Sequence, residues 1–499
     1  VSELVKPTIS QQFQNIFWPI KRSEIKLFLP LGLMMLCMLF NFGTLRSVKD
    51  SLIVPNIGAE VISFLKLWLV LPSTIIFTLI YAKLSNKLEH EKLFYLIVSC
   101  FLCVFAICTY IIFPYHATYH PNSDNIEHLI SLYPHLKWFL KIIGKWSYAL
   151  MYVFCELWSV VVINLLFWQY ANGIFDSESA KRFYPFLGAI GNIGLIVAGN
   201  ILVACSDISG ITDEMLIGAY SYDFTFQCNF VLKPIINSVI VAGICAMLFY
   251  YYIHNHVLKT TDLTKSFSTE QTKRKNTLSV IDSIKLLLKS KNLGHIALLV
   301  LCYGLAINIL EGPWKAKVQE VHSNTVDYIN FMGKFNIWMG ISSVSFMIIG
   351  SNILRRTSWR FAALITPYTI LITGSIFFSF VIIAHYLNFS GHWFNPLYYA
   401  IIIGALQNIL SKSTKYSLFD STKEMAYLPL SIELKTKGKA AVEVIGLKFG
   451  KSLGAVVQSA VFIFAPNASF DSIVTYLFVI FLSIISLWIW NVKALSMNL

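Results

Sequence analysis

ISFLKLWLVLPSTIIFTLIYA, residues 62–82, is an apolar run that carries one charge, Lys66. About 20 such residues in a helix cross the ~30 Å hydrocarbon core of a bilayer. A charged side chain at that depth costs about 2.5–3.5 kcal/mol on insertion scales, so Lys66 needs either a partner or a purpose. Of the 499 residues, 56% are hydrophobic and 13% charged, against about 25% charged in soluble domains. Such a chain cannot cover a water-soluble globule with polar surface, and the run at 62–82 is one of many. The reading is an all-α polytopic membrane protein.

Apolar segments of spanning length fall near 27–45, 61–82, 93–113, 146–170, 183–205 and 233–253, then near 294–311, 328–350, 360–385, 397–411, 439–465 and 472–492. Twelve membrane-spanning helices are expected, six in a bundle at 1–253 and six in a bundle at 293–499. Between them lies a basic linker, 254–292, with eight Lys/Arg and three acids. Its stretch LSVIDSIKLLLKS has helical spacing suited to the membrane surface. The first apolar run is long and followed by others, so it reads as a span and not as a cleavable signal.

The net charge of +13 raises the question of nucleic acid, but its distribution answers it. Lys83 and Lys87, Lys181 and Arg182, the linker, and Arg355, Arg356 and Arg360 alternate along the chain with neutral or acidic connections. Segment 206–229 has Asp207, Asp213, Glu214 and Asp223 and no Lys or Arg. This is the cytoplasmic excess of basic residues that orients membrane proteins, and it places both termini in the cytoplasm. No nucleic-acid partner is expected. The nine cysteines sit mostly in apolar runs, and the lone CxxC at Cys100 and Cys103 has no second pair. They read as packing residues, with no metal or cofactor implied.

The two halves echo each other. Span 2 carries FLKLW (64–68) and span 8 carries MGKFNIW (332–338). Span 5 opens KRFYPFLGAIGNIG and span 11 KAAVEVIGLKFGKSLG, and glycines so spaced let helices approach closely. Paired six-helix halves suggest a major-facilitator-like architecture with a site between the halves at the midplane.

Within or at the edges of the spans stand Arg46, Lys49, Lys66, Lys315, Lys317, Lys334, Lys412, Lys415, Lys448 and Lys451, against Asp50, Glu156, Glu311 and Glu443. Ten cations face four acids, a surplus that suits a polyanionic substrate gripped by charge-assisted hydrogen bonds. Lys66 alone has a bland reading, snorkelling toward the interface along its own stem. Glu156, ten residues into span 4, is too short-armed for that; a salt bridge, even with Lys66, is its structural reading. Asn164, eight residues on, is expected on about the same face. Asp50 can neutralise Arg46 at i,i+4, and Lys315 and Lys317 read equally as a solvated rim or as phosphate contacts, beyond a Pro313 that weakens local helix bonding. GLKFGKSLG (446–454) is one residue short of a phosphate-binding loop and has helical apolar flanks, so Lys448 and Lys451 are expected to face one cavity from a helix. Trp68, Trp158, Trp168 and Trp314 suit packing or a belt better than stacking on a base.

At these residues the chain resembles the nucleotide transporter (ATP/ADP translocase) family of obligate intracellular bacteria and plastids. The motifs are LRSVKDSLIV, ISFLKLWLVLPS, GKWSYALMYVFCELWSVVVINLLFWQYAN, AKRFYPFLG, INILEGPWKAKV, QNILSKSTKYSLFDSTKEMAYLPL and KGKAAVEVIGLKFGKSLGA. The resemblance implies a nucleotide carrier of the bacterial inner membrane, ATP/ADP exchange being the best-known activity. It singles out Lys66, Glu156, Glu311 and Lys451, with Lys448, Arg46, Lys334, Asn164, Lys412 and Lys415 added from the charge reading. Departures at Ser159, Gly173 and Leu453 leave the base unassigned. The expected unit is a monomer in lipid. The rivals are proton-coupled import and an enzyme acting on phosphates; against the enzyme, no HExxH, paired metal carboxylates or nucleophile–base pair stands out.

Overall fold

The computed structural model describes residues 20, 24–175, 177–207, 224–258, 290–386, 395–427, 429–430, 442 and 448–497. Among them ten helices are long and apolar enough to cross a membrane. They are α1 (Ile25–Ile57), α2 (Val61–Ser85), α3 (His90–Ile112), α6 (Trp146–Ile174), α7 (Ser177–Ser206, apolar from Arg182), α8 (Cys228–Leu258), α9 (Lys291–Val321), α10 (Thr325–Arg356), α11 (Trp359–Tyr386) and α14 (Phe470–Ser496). Short helices stand between α3 and α6, among them α4 (Ser123–Leu132) and α5 (Lys137–Gly144).

The remaining two expected spans fall on weaker elements. α12 (Pro396–Thr414, continuing through Lys415–Phe419 and Asp420–Ala426) covers 397–411, but Gln407, Asn408, Ser411, Ser413 and Thr414 on it are polar and buried. α13 (Lys448–Phe464) covers the second part of 439–465. The surface helix expected in the linker lies outside the described residues.

Hydropathy located the helices but not their ends. The span expected at 27–45 is the middle of a 33-residue helix, and the one at 294–311 belongs to a 31-residue helix that continues through Pro313. Residues expected at helix edges, Arg46, Lys49, Asp50, Lys315 and Lys317, are therefore helix-interior and buried. Apolar turns resume beyond them, as in LIV at 52–54, and paired charges allow a helix to carry them at depth.

Glycines set the closest approaches, as their spacing suggested. A Cβ on Gly199 of α7 would lie 2.5 Å from the carbonyl oxygen of Gly333 on α10, so only glycine permits that contact. On the other side of the bundle a Cβ on Gly454 of α13 would lie 2.8 Å from Asn308 Cβ on α9. Wide π-type turns, in which the backbone bonds i to i+5, interrupt α2 at Leu65–Val70, α6 at Ser159–Phe167 and α12 at Lys415–Phe419. Such turns often mark functional positions, and the first contains Lys66.

Candidate functional site

The charges of α1, α2, α6 and α9 form one alternating chain. Lys49 Nζ sits 3.0 Å from Glu156 Oε1 and 2.8 Å from Asp50 Oδ1. Asp50 Oδ2 is 2.8 Å from Lys315 Nζ, which is 3.3 Å from Glu311 Oε1. Glu311 then takes Arg46 Nη2 at 3.3 Å on Oε1 and Lys66 Nζ at 3.2 Å on Oε2. Lys66 also donates to Asn308 Oδ1 at 3.0 Å. The Lys49 ammonium lies 4.1 Å from the ring centre of Tyr152, and Arg46 and Lys412 each 5.8 Å from that of Phe335. Lys412 is near enough to act on Glu311 electrostatically.

Local sequence explains who meets whom. Glu311 and Lys315 are one turn apart on α9, so the pair is intrahelical. Arg46 and Asp50 are also one turn apart, yet Arg46 reaches across to Glu311 and Asp50 is taken by Lys49 and Lys315. Glu156 makes a salt bridge with Lys49, and Lys66, its candidate partner in the sequence, bridges Glu311. Lys317 is no solvated rim: it is buried and bridges Glu320 at 2.6 Å and Asp471 at 2.8 Å.

Burial divides the acids into two kinds. Asp50 is 0% exposed and clasped from both sides, whereas Glu311 is 14% and Glu156 28% exposed. A buried ion pair does not by itself favour folding, because desolvation offsets much of the attraction. The two ends of the chain are the members that a solute can reach.

This cluster joins the helices before residue 259 to those after 289 through Asp50–Lys315, Arg46–Glu311 and Lys66–Glu311. Further ties run the same way. Asn336 Nδ2 donates to Gly43 O at 3.0 Å and Ser47 Oγ at 2.9 Å, Asn56 Nδ2 to Thr325 Oγ1 at 3.1 Å, and Phe470 N to Glu60 Oε1 at 3.4 Å. They lie toward the end where α1 turns into α2, α9 into α10 and α13 into α14. That end is sealed. The space among Lys66, Asn308, Glu311, Lys315 and Gln458 is about 10 Å³, at the limit for one water.

Of the residues singled out in the sequence, Arg46, Lys66, Glu156 and Glu311 are brought into the cluster, and Lys412 stands beside it. Lys415 is occupied elsewhere, 2.9 Å from Asp420 Oδ2. Lys334 is exposed on α10, away from the cluster. Asn164 is exposed too, on the wide turn Ser159–Phe167. Lys448 and Lys451 open α13, and their side chains lie outside the described residues. Trp158 and Trp314 are buried packing residues whose indole N–H groups donate to Met38 O at 3.4 Å and Ile401 O at 3.1 Å. The sequence reading undervalued Lys49, Asp50 and Lys315, which form the centre of the chain, and missed Asn308 and Gln458. The signals were the adjacent Lys-Asp of LRSVKDS and the i,i+4 spacing of EGPWK.

The sequence matches the TLC ATP/ADP transporter family over residues 6–499. It is 59% identical over 488 residues to "ADP,ATP carrier protein 3" of Rickettsia typhi, covering 97% of each chain. To "ADP,ATP carrier protein 1" of Rickettsia bellii it is 43% identical over 494 residues, covering 97% of this chain and 95% of that one. Among solved structures it resembles a bacterial homologue of the iron transporter ferroportin in its inward-facing state, with TM-score 0.56, 14% identity and coverage of 96% and 100%. A POT family transporter in complex with a thioalcohol-conjugated peptide gives TM-score 0.54, 9% identity and coverage of 97% and 98%. These two likenesses concern the fold, which is major-facilitator-like.

Proposed function

Given that the chain belongs to the TLC ATP/ADP transporter family, we propose that it exchanges ATP for ADP across a bacterial inner membrane by alternating access. The observation that carries the mechanism is Glu311: one carboxylate accepts from Arg46 and Lys66 of the first helix set and Lys315 of the second. It stands where a phosphate oxygen would stand. Nucleotide phosphates, with roughly three to four negative charges, outcompete a single carboxylate for Arg46 and Lys66 through charge-assisted bonds. Glu311 keeps Lys315, its neighbour one turn along the same helix. Two of the three ion pairs that join the two sets, Arg46–Glu311 and Lys66–Glu311, are broken while Asp50–Lys315 stays, so substrate capture loosens the sealed end.

In this reading Lys412, Lys448 and Lys451 add positive charge to the phosphate site, and Glu156 receives or releases Lys49 as the chain rearranges. Helices 24–258 and 290–497 rock as two bundles joined by the basic linker. Twelve spans with both termini in the cytoplasm follow from the alternation of basic loops, and one chain is the transporting unit. Charge balance also accounts for exchange: a site that gave up its phosphate must be re-neutralised by Glu311 or by a new nucleotide before it closes.

The test is uptake of labelled ATP into vesicles preloaded with ADP, with a panel of unlabelled nucleotides as competitors. ADP and ATP are expected to compete most strongly. Collapse of the proton gradient should leave exchange intact; loss of uptake on collapse would replace the proposal with proton-coupled import.

A further inference from the structure

α5 has the sequence KWFLKIIG and lies outside the membrane-spanning helices, between α3 and α6. Trp138 and Ile142, one turn apart, are its buried face. On one side this helix reaches the turn that carries Lys66. The ring of Phe139 lies 5.2 Å from that of Phe64 and 5.8 Å from that of Trp68, and the ring of Trp138 lies 6.4 Å from that of Phe64. Phe64 and Trp68 flank Lys66, and the backbone between them is the wide turn Leu65–Val70.

On the other side the same segment grips the end of α13. Trp138 lies 6.1 Å from Phe462, ring centre to ring centre. His135 Nδ1 bonds Ile463 O at 2.7 Å, and Lys137 Nζ donates to Pro466 O at 3.3 Å. Ile463 O belongs to the last turn of α13, where unpaired carbonyl groups favour basic partners, and Pro466 O to the turn that follows it. α13 is the helix whose Gly454 abuts Asn308, a ligand of Lys66. The segment therefore bridges the two helix sets at the sealed end and touches both sides of the Lys66 cluster.

We infer that Trp138 and Phe139 are positioning residues for Lys66, and that the segment His135–Phe139 is the latch of the sealed end. The aromatic pair fixes the wide turn in the register that aims Lys66 at Glu311. When Lys66 swings to a phosphate, the turn shifts, Phe64 and Trp68 slide on Trp138 and Phe139, and the hold on α13 is released. The inference rests on the proposed exchange mechanism for its trigger, but the latch itself needs only the contacts named.

The experiment has a transport arm and a substrate-free arm. In vesicles Trp138→Ala should lower the maximal exchange rate at least about tenfold with KM changed less than about twofold, and Trp138→Phe should restore most of it. In the second arm, Ser63→Cys places a thiol at a buried site beside Lys66. Its reaction with a membrane-impermeant thiol reagent, measured against the baseline of the nine native cysteines, should rise in Trp138→Ala without any nucleotide. Should Trp138→Ala not reach the membrane, the double variant His135→Ala/Lys137→Met removes only the ties to Ile463 O and Pro466 O and should raise labelling likewise. Wild-type rate and wild-type labelling in both variants overturn the latch. If the unaltered protein exchanges no nucleotide while labelling still responds, the latch stands and the exchange reading falls.

Discussion

Lys66 and Lys334 occupy matching places in the sequence, one in FLKLW and one in GKFNIW, and the fold treats them oppositely. Lys66 is 17% exposed and bonded to Glu311 and Asn308; Lys334 is exposed on α10. The nearby tryptophans explain why. Trp68 and Trp338 are 53% and 63% exposed, so each marks an outward face of its helix. Lys66 precedes its tryptophan by two residues, about 170–200° around the helix, and so points inward. Lys334 precedes its tryptophan by four, about 40° around, and shares the outward face. An echo in sequence at the right depth is not an echo in space. Angular spacing from an exposed tryptophan decides it.

The largest expected effect tests this directly. Lys66→Ala should cut exchange about 100-fold, the equivalent of about 2.7 kcal/mol, while Lys334→Ala should stay within about twofold. Initial rates of labelled ATP uptake, normalised to the amount of protein in the membrane, decide it. Equal losses in both would remove the distinction between the inward and the outward lysine.

Glu311→Gln comes next. It keeps the shape of the hub but leaves Arg46, Lys66 and Lys315 sharing a neutral oxygen. Breaking a buried pair from one side costs about 3–5 kcal/mol, reduced here because the amide still accepts and the site is partly wet. Exchange should fall about tenfold, and the melting temperature in detergent should drop by a few degrees. The same change at Glu320, whose partner Lys317 also has Asp471, should leave exchange near normal.

A third, smaller contrast separates the two tryptophans. Trp68 touches Phe139 at 5.8 Å, whereas Trp338 is more exposed. Trp68→Ala should slow exchange about threefold and Trp338→Ala hardly at all, since edge-on aromatic contacts contribute about 0.5–1.5 kcal/mol.

Which parts of this were legible follows from what kind of information each needed. The helices were legible because bilayer thickness imposes a run length that any reader of ISFLKLWLVLPS can count. Their ends were not, because Arg46, Lys49 and Asp50 look like a terminus until their partners on α6 and α9 are known. Arg46, Lys66, Glu156 and Glu311 were legible as charges too deep to ignore, but the resemblance ranked them. The pairing was not: nearest spacing favoured Arg46 with Asp50, and only the approach of α9 turned Asp50 toward Lys315. Asn308 and Gln458 carry no charge and stood in apolar runs without a signal.

The smallest effect concerns Glu60, in the turn between α1 and α2, outside the membrane-spanning segments. Its carboxyl is raised above the ordinary range by burial, in part opposed by the N–H of Phe470 and the ammonium groups of Lys141 and Lys137. In the sealed state the protonated form is thus favoured relative to an open state in which Glu60 meets water. The stabilisation of the seal is complete below the ordinary carboxylate value and is lost as pH rises through the raised one. Labelling of the Ser63→Cys thiol, corrected for the reagent's own pH dependence, should accelerate modestly as pH rises above the ordinary carboxylate value. Glu60→Gln, which keeps the hydrogen bond to Phe470 N and carries no charge at any pH, should flatten that rise. A His135→Ala background removes the imidazole bonded to Ile463 O at the end of α13, so a rise surviving in Glu60→Gln/His135→Ala would mean that the seal answers to a different group.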